Sequence, residues 1–171
     1  MSTQPLVQMI DESKLTPEVK QIFEQMKVKN GQVPKWMKVM ANCEDIFLGF
    51  FKMFQASMDD NPLDNKIKWK VGMHVSDINK CEFCTSIADQ KLRALGCENA
   101  ECMTEDQLTD REKIAFAYAK QVTEHAYKID SELIEQLKQT FTDEELVELT
   151  AVITLFNYIN RFNDALRILP D

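Results

Sequence analysis

Thr142-Asp143-Glu144-Glu145-Leu146-Val147-Glu148-Leu149-Thr150-Ala151-Val152-Ile153-Thr154-Leu155-Phe156-Asn157-Tyr158-Ile159-Asn160-Arg161-Phe162 runs without a proline. Its first four residues read as a capping box, in which the side chains at N-cap and N3 satisfy each other's backbone donors. Leu146, Leu149, Ile153 and Phe156 then share one helix face, with Val152, Leu155, Ile159 and Phe162 beside it. An apolar arc that wide predicts a long helix buried on two sides. Glu148, Asn157 and Asn160 interrupt the segment, which leaves it too short and too polar to span a bilayer.

The same pattern recurs outward from this helix. Thr109-Asp110-Arg111-Glu112 reads as a second capping box. Thr16-Pro17-Glu18 places a hydroxyl at an N-cap and Pro at N1, ahead of Val19, Ile22, Phe23 and Met26 at helical spacing. A Phe-rich helix (Ile46, Phe47, Phe50, Phe51, Phe54) follows, then one over about 64–78 and one over about 81–95, with Gly96 placed to end the last. The five prolines (Pro5, Pro17, Pro34, Pro62, Pro170) leave 63–169 unbroken, and no run alternates with period two. The fold class is therefore all-α. With 171 residues, the chain is expected to form a single helical domain over 1–171 that needs no staples. The stripe of Phe47, Phe50, Phe51 and Phe54 is read as core packing, with an apolar substrate pocket as the other reading.

A formal net charge of −8 argues against a nucleic-acid partner or an anionic membrane surface, since both need clustered Lys and Arg. An acidic surface on a soluble protein accounts for it equally well. Met1-Ser2-Thr3-Gln4-Pro5-Leu6 has neither a basic nor an apolar signal region, so a cytoplasmic protein is expected. Five cysteines (Cys43, Cys81, Cys84, Cys97, Cys102) are an odd number for such a compartment. That argues against a disulfide framework and points Cys-x-x-Cys toward catalysis or metal.

Cys81 and Cys84 stand three apart at a helix start, which puts both sulfurs on one face within bridging reach. Unpaired N–H groups and the positive end of the dipole there favour a thiolate. Cysteine pKa values in such settings fall to about 3.5–7.5. One thiolate can attack a disulfide or peroxide, and the other can resolve the adduct. The bland alternative is two inert buried thiols. Zinc is a third reading, since Cys81, Cys84, Cys97 and Cys102 superficially resemble a four-thiolate site. Thirteen helical steps from Cys84 to Cys97, however, would separate the pairs by about 20 Å. Tetrahedral zinc needs all four sulfurs at about 2.3 Å from one point, so no metal is expected.

Asn79-Lys80-Cys81-Glu82-Phe83-Cys84, then Leu108-Thr109-Asp110-Arg111-Glu112, then Phe156-Asn157-Tyr158-Ile159-Asn160-Arg161-Phe162 resemble the carboxymuconolactone decarboxylase superfamily on its alkylhydroperoxidase D-like branch. Val33-Pro34 and Leu63-Asp64 match as well. The likeness implies a family-like core over about 33–169, with a helical extension over about 16–29 before it. It also implies an alkylhydroperoxidase D-like helical domain, a trimer or hexamer, and no cofactor. In function it implies an antioxidant peroxidase or disulfide reductase acting through a Cys81–Cys84 redox pair. Substrates would be hydroperoxides or disulfides, and an unidentified thiol would supply the electrons.

The family pattern is Glu-x11-Cys-x2-Cys-x3-His, whose Glu and His relay protons. Here the Glu position is Trp69 and the His position is Ala88. A missing general base lowers a proton-coupled rate by about 100- to 10,000-fold, whereas disulfide exchange depends more on thiolate fraction and access. Asp77 and His74 are the candidate replacements for the relay. They sit roughly 80° and 140° around the helix from Trp69, and each is read first as a solvated surface side chain, with the relay as the other reading. The family's peroxide-attacking thiol is the second cysteine, here Cys84, and Cys81 resolves. With Ala88 in place of His, helix geometry leaves that order open. A redox sensor or assembly subunit without turnover is the alternative from a different class.

Overall fold

The computed structural model describes residues 4–60, 62–97 and 100–170. Among them there is no strand. Eight α-helices follow in order: α1 Pro17–Asn30, α2 Lys35–Met40, α3 Glu44–Met58, α4 Asn65–Asn79, α5 Glu82–Ala94, α6 Asp110–His125, α7 Ser131–Thr140 and α8 Asp143–Ala165. No helix among the described residues is long and apolar enough to cross a membrane.

Local chemistry sets the helix starts. Asp64 accepts the N–H groups of Lys66 and Ile67, so α4 begins at Asn65. Both capping boxes form, Thr109 with Glu112 and Thr142 with Glu145. Thr16 departs from expectation. Its hydroxyl does not cap α1 but donates to Glu44 Oε1 at 2.6 Å, leaving Pro17 alone to mark the start. The rotamer that carries the hydroxyl to α3 leaves its oxygen without a bond to the α1 N–H groups.

The chain divides into two compact units, residues up to Ala56 with Asn163–Leu169, and Ser57–Phe162. In the first, Phe23 meets Phe47 edge-on at 5.8 Å and Trp36 meets Phe50 edge-on at 5.4 Å. The Phe stripe is thus core: Phe47, Phe50 and Phe51 are buried. Leu6 N–H donates to the Leu166 carbonyl at 2.8 Å, which ties the two chain segments of this unit together, and Ile168 N–H closes the end of α8 on the Asn163 carbonyl, also at 2.8 Å.

In the second unit α4 packs most extensively against α5 and α6. Its side chains sort into stripes. Lys68, Gly72 and Ser76 meet Glu148, Phe156 and Asn160 of α8. Lys70 and His74 meet Glu112 and Phe116 of α6. Both sets of partner numbers rise together, so α4 runs in the same direction as α6 and as α8. Burial pushes the Glu112 carboxyl up, but the Lys70 ammonium and the Thr109 donors outweigh it and hold the group below its usual range. Arg111 fastens the start of α6 to the α7–α8 junction. It donates to the Thr140 carbonyl at 3.1 Å and to Glu145 at 2.5 Å, with its guanidinium 4.4 Å from the Phe141 ring centroid.

Cys97 and Cys102 are joined as a disulfide, with Cα atoms 5.8 Å apart. This corrects the expectation drawn from the odd cysteine count. Gly96, at φ 75°, adopts the left-handed turn that ends α5, and Cys97 N–H returns to the Leu92 carbonyl at 2.9 Å. Count and compartment say nothing about this turn, which is what presents Cys97 for bridging.

Candidate active site

The site begins at the end of α4. Cys81 N–H donates to the Ser76 carbonyl at 3.0 Å and Lys80 N–H to the Asp77 carbonyl at 3.2 Å, the paired bonds of a Schellman motif. Lys80 occupies its left-handed position at φ 62°. The motif therefore delivers Cys81 directly to the N-cap of α5, and Cys84 falls three residues on, within the first turn. First-turn N–H groups lack intrahelical partners and carry the positive end of the dipole, the setting that favours a thiolate. The Cys81 and Cys84 sulfurs lie 2.6 Å apart. Cys81 is 0% exposed and Cys84 5%.

A left-handed conformation strains every residue but glycine, by about 1–2 kcal/mol. Lys80→Gly is therefore expected to stabilise the fold by about 0.5–1 kcal/mol, read as a higher urea midpoint at unchanged slope. A lower midpoint would show that the Lys80 side chain contributes more than its backbone costs.

The two candidate relay residues go to different places. His74 stacks on Phe116 of α6, with ring centroids 4.5 Å apart. Burial lowers its pKa, with Asp77 opposing that and Lys120 adding to it, so the imidazole is held neutral on the α6 side of α4. Asp77 faces α5 instead. Its Oδ1 lies 3.4 Å from Thr85 Oγ, which donates to the Cys81 carbonyl at 3.0 Å. Asp77 thus stands one hydroxyl from the backbone of Cys81. An open cleft runs here between Met73, Asp77 and Lys80 on one side and Glu82, Thr85, Ser86 and Asp89 on the other. Trp69 packs edge-on against Phe156 at 5.9 Å, and Ala88 is fully buried. Cys43 is exposed and lies on the other unit.

One group of residues escaped sequence reasoning. Asn160 Nδ2 donates to Ser76 Oγ at 3.0 Å, and Asn79 Nδ2 donates to Asn160 Oδ1 at 2.9 Å and Asn157 Oδ1 at 3.1 Å. Asn157 in turn donates to Thr123 Oγ1 at 3.0 Å and accepts from Arg161. The available signal was three polar residues, Asn157, Asn160 and Arg161, set into the apolar arc of α8.

No family model matches the chain. The uncharacterized protein YnjA of Escherichia coli K12 is 30% identical over 114 residues. The match covers 63% of this chain, and the chain spans 63% of YnjA's length, under two thirds. Among solved structures, an uncharacterized peroxidase-related protein from Ralstonia eutropha JMP134, described as an alkylhydroperoxidase AhpD core, is similar at TM-score 0.89 and 20% identity. That likeness covers 98% of this chain and 92% of the other. The debrominase Bmp8, in complex with 2,3,4-tribromopyrrole, is similar at TM-score 0.82 and 22% identity, over 97% and 91%. At such identities the likeness is one of fold.

Proposed function

We propose, from the premise that this chain has the all-α fold of the alkylhydroperoxidase D-like proteins, that it is a thiol–disulfide oxidoreductase working through Cys81 and Cys84. The observation that carries the reading is the pair of sulfurs 2.6 Å apart in the first turn of α5. Cys84, the more accessible, attacks one sulfur of a substrate disulfide and expels the other as a thiolate. Cys81 then attacks Cys84 Sγ and expels the second substrate thiolate. The substrate gains two electrons, the Cys81–Cys84 disulfide forms, and an external thiol donor returns it to the dithiol.

Peroxide makes a harder demand. Attack on a hydroperoxide releases an alkoxide, which needs a proton in the transition state, whereas an expelled thiolate leaves unprotonated. An indole and a methyl occupy the positions where the family keeps its relay, and neither transfers a proton. Disulfide exchange is thus the chemistry this site retains. The expected result is turnover of a model disulfide that falls at least about 100-fold in Cys81→Ser and in Cys84→Ser. Alkyl hydroperoxide turnover should stand about 100-fold or more below that of an enzyme with an intact relay. Disulfide turnover that survives Cys84→Ser would overturn the assignment.

The near-complete burial of both thiols favours a second reading, a sensor oxidised once without turnover. Stoichiometric oxidation with no steady-state rate would select it. Because a debrominase shares the fold, a bromopyrrole belongs in the same assay as a third electrophile.

A further inference from the structure

The amide cluster on α8 is built around the backbone that carries the Cys81 sulfur. Ser76 sits at its centre. The Ser76 carbonyl accepts the Cys81 N–H at 3.0 Å. Its hydroxyl donates back to the Gly72 carbonyl at 2.7 Å and accepts from Asn160 Nδ2 at 3.0 Å. Asn79, three residues on, is held by the same Asn160 and by Asn157. Ser76 and Asn160 are both fully buried.

We propose that Asn160, through Ser76 and Asn79, is a positioning residue that sets the redox poise of the Cys81–Cys84 pair. The inference rests on the reading of that pair as a redox couple. Its physical basis is the specificity of disulfide geometry. Two thiols bond at about 2.05 Å only when their Cβ atoms stand about 3.5–4.5 Å apart. Cys84 is fixed by α5, but Cys81 lies at the N-cap, where the backbone is set by the turn before it. That turn is the Schellman motif, and Lys80 holds it against its own left-handed strain. A strained turn relaxes unless something else fixes its two ends. Asn160 fixes the α4 end, with one side chain gripping residues 76 and 79. The grip is long-range, 84 residues from Ser76, so it belongs to the folded chain and not to the peptide around the cysteines.

Releasing the grip lets the sulfurs drift apart. The oxidised form, which needs them close, then loses stability relative to the dithiol. The test is a redox titration of the full chain in glutathione buffers, with the Cys81–Cys84 bond scored by alkylation and peptide mass. Asn160→Leu is expected to shift the dithiol–disulfide equilibrium about tenfold toward the dithiol, or about 30 mV for a two-electron couple. Asn79→Ala, at a half-buried position and so milder, should move it the same way, and it serves if Asn160→Leu does not fold. Ile153→Val, a buried truncation on α8 away from the turn, lowers stability and should leave the poise unchanged.

An equilibrium within about twofold of wild type in both Asn variants overturns the positioning role, as does an equal shift in Ile153→Val. A wild-type chain that never forms the bond overturns both this inference and the redox reading. A bond that forms with a poise indifferent to Asn160 overturns only the inference.

Discussion

Glu148→Ala should cost this protein about 3–5 kcal/mol of stability, far more than a surface ion pair is worth. Lys68 is wholly buried, and its ammonium donates to Glu148 Oε1 and the Asp59 carbonyl, each at 2.5 Å. The other oxygen of Glu148 accepts the Leu63 N–H at 2.9 Å. Alanine therefore leaves a buried cation with one carbonyl for a partner and also orphans a backbone donor. Removing one partner of a buried pair is costly because the other charge stays desolvated. Replacing both partners is different. In Lys68→Met with Glu148→Gln, the methionine fills the space without charge and the glutamine carbonyl can still accept from Leu63. That double variant should be more stable than Glu148→Ala alone. Urea unfolding with a common slope measures all three. A loss under about 1 kcal/mol in Glu148→Ala would mean that water reaches the pair and screens it.

Why Glu148 was read only as an interruption of an apolar helix shows what sequence reports and what it does not. The capping boxes at Thr109 and Thr142 were legible because donor and acceptor lie three residues apart and their geometry is local. The same logic failed at Thr16, whose hydroxyl found Glu44 across 28 residues. The cysteine pair was legible for the local reason again, since one helical turn separates the two sulfurs. That Trp69 and Ala88 stand where the resembled pattern carries Glu and His was legible by counting. What filled the space was not, because Trp69 meets Phe156 from a helix far along the chain. Asp77 and His74 could be placed around α4 but not assigned a neighbour. One faces Thr85 and the other Phe116, and only the packing of α5 and α6 decides that. The Cys97–Cys102 bridge needed the left-handed turn at Gly96, whose direction no count of cysteines contains.

The contact of Gly72 on α4 with Phe156 on α8 yields the second large effect. Gly72→Ala is expected to destabilise the protein by about 2 kcal/mol, although alanine is the better helix former by about 1 kcal/mol. A Cβ built at Gly72 falls under 3.0 Å from three ring carbons of Phe156, well inside contact distance. The ring has little room to yield, because Trp69 packs edge-on against it and a dense core accepts extra volume only by moving backbone or leaving rotamer minima. Phe156→Leu in the same chain removes the obstacle. The double variant should then lose less than the sum of the two single losses, with a coupling of about 1 kcal/mol or more. Additive losses would place the cost of Gly72→Ala elsewhere than at the ring. The consequence reaches the site by register. Gly72 and Phe156 form one layer between the helices, and Ser76 and Asn160, each four residues on, form the next. A methyl that pushes α8 away from α4 at the first layer lengthens the 3.0 Å bond at the second. Loss of stability in Gly72→Ala should thus come with a shift of the Cys81–Cys84 equilibrium toward the dithiol, and adding Phe156→Leu should diminish that shift.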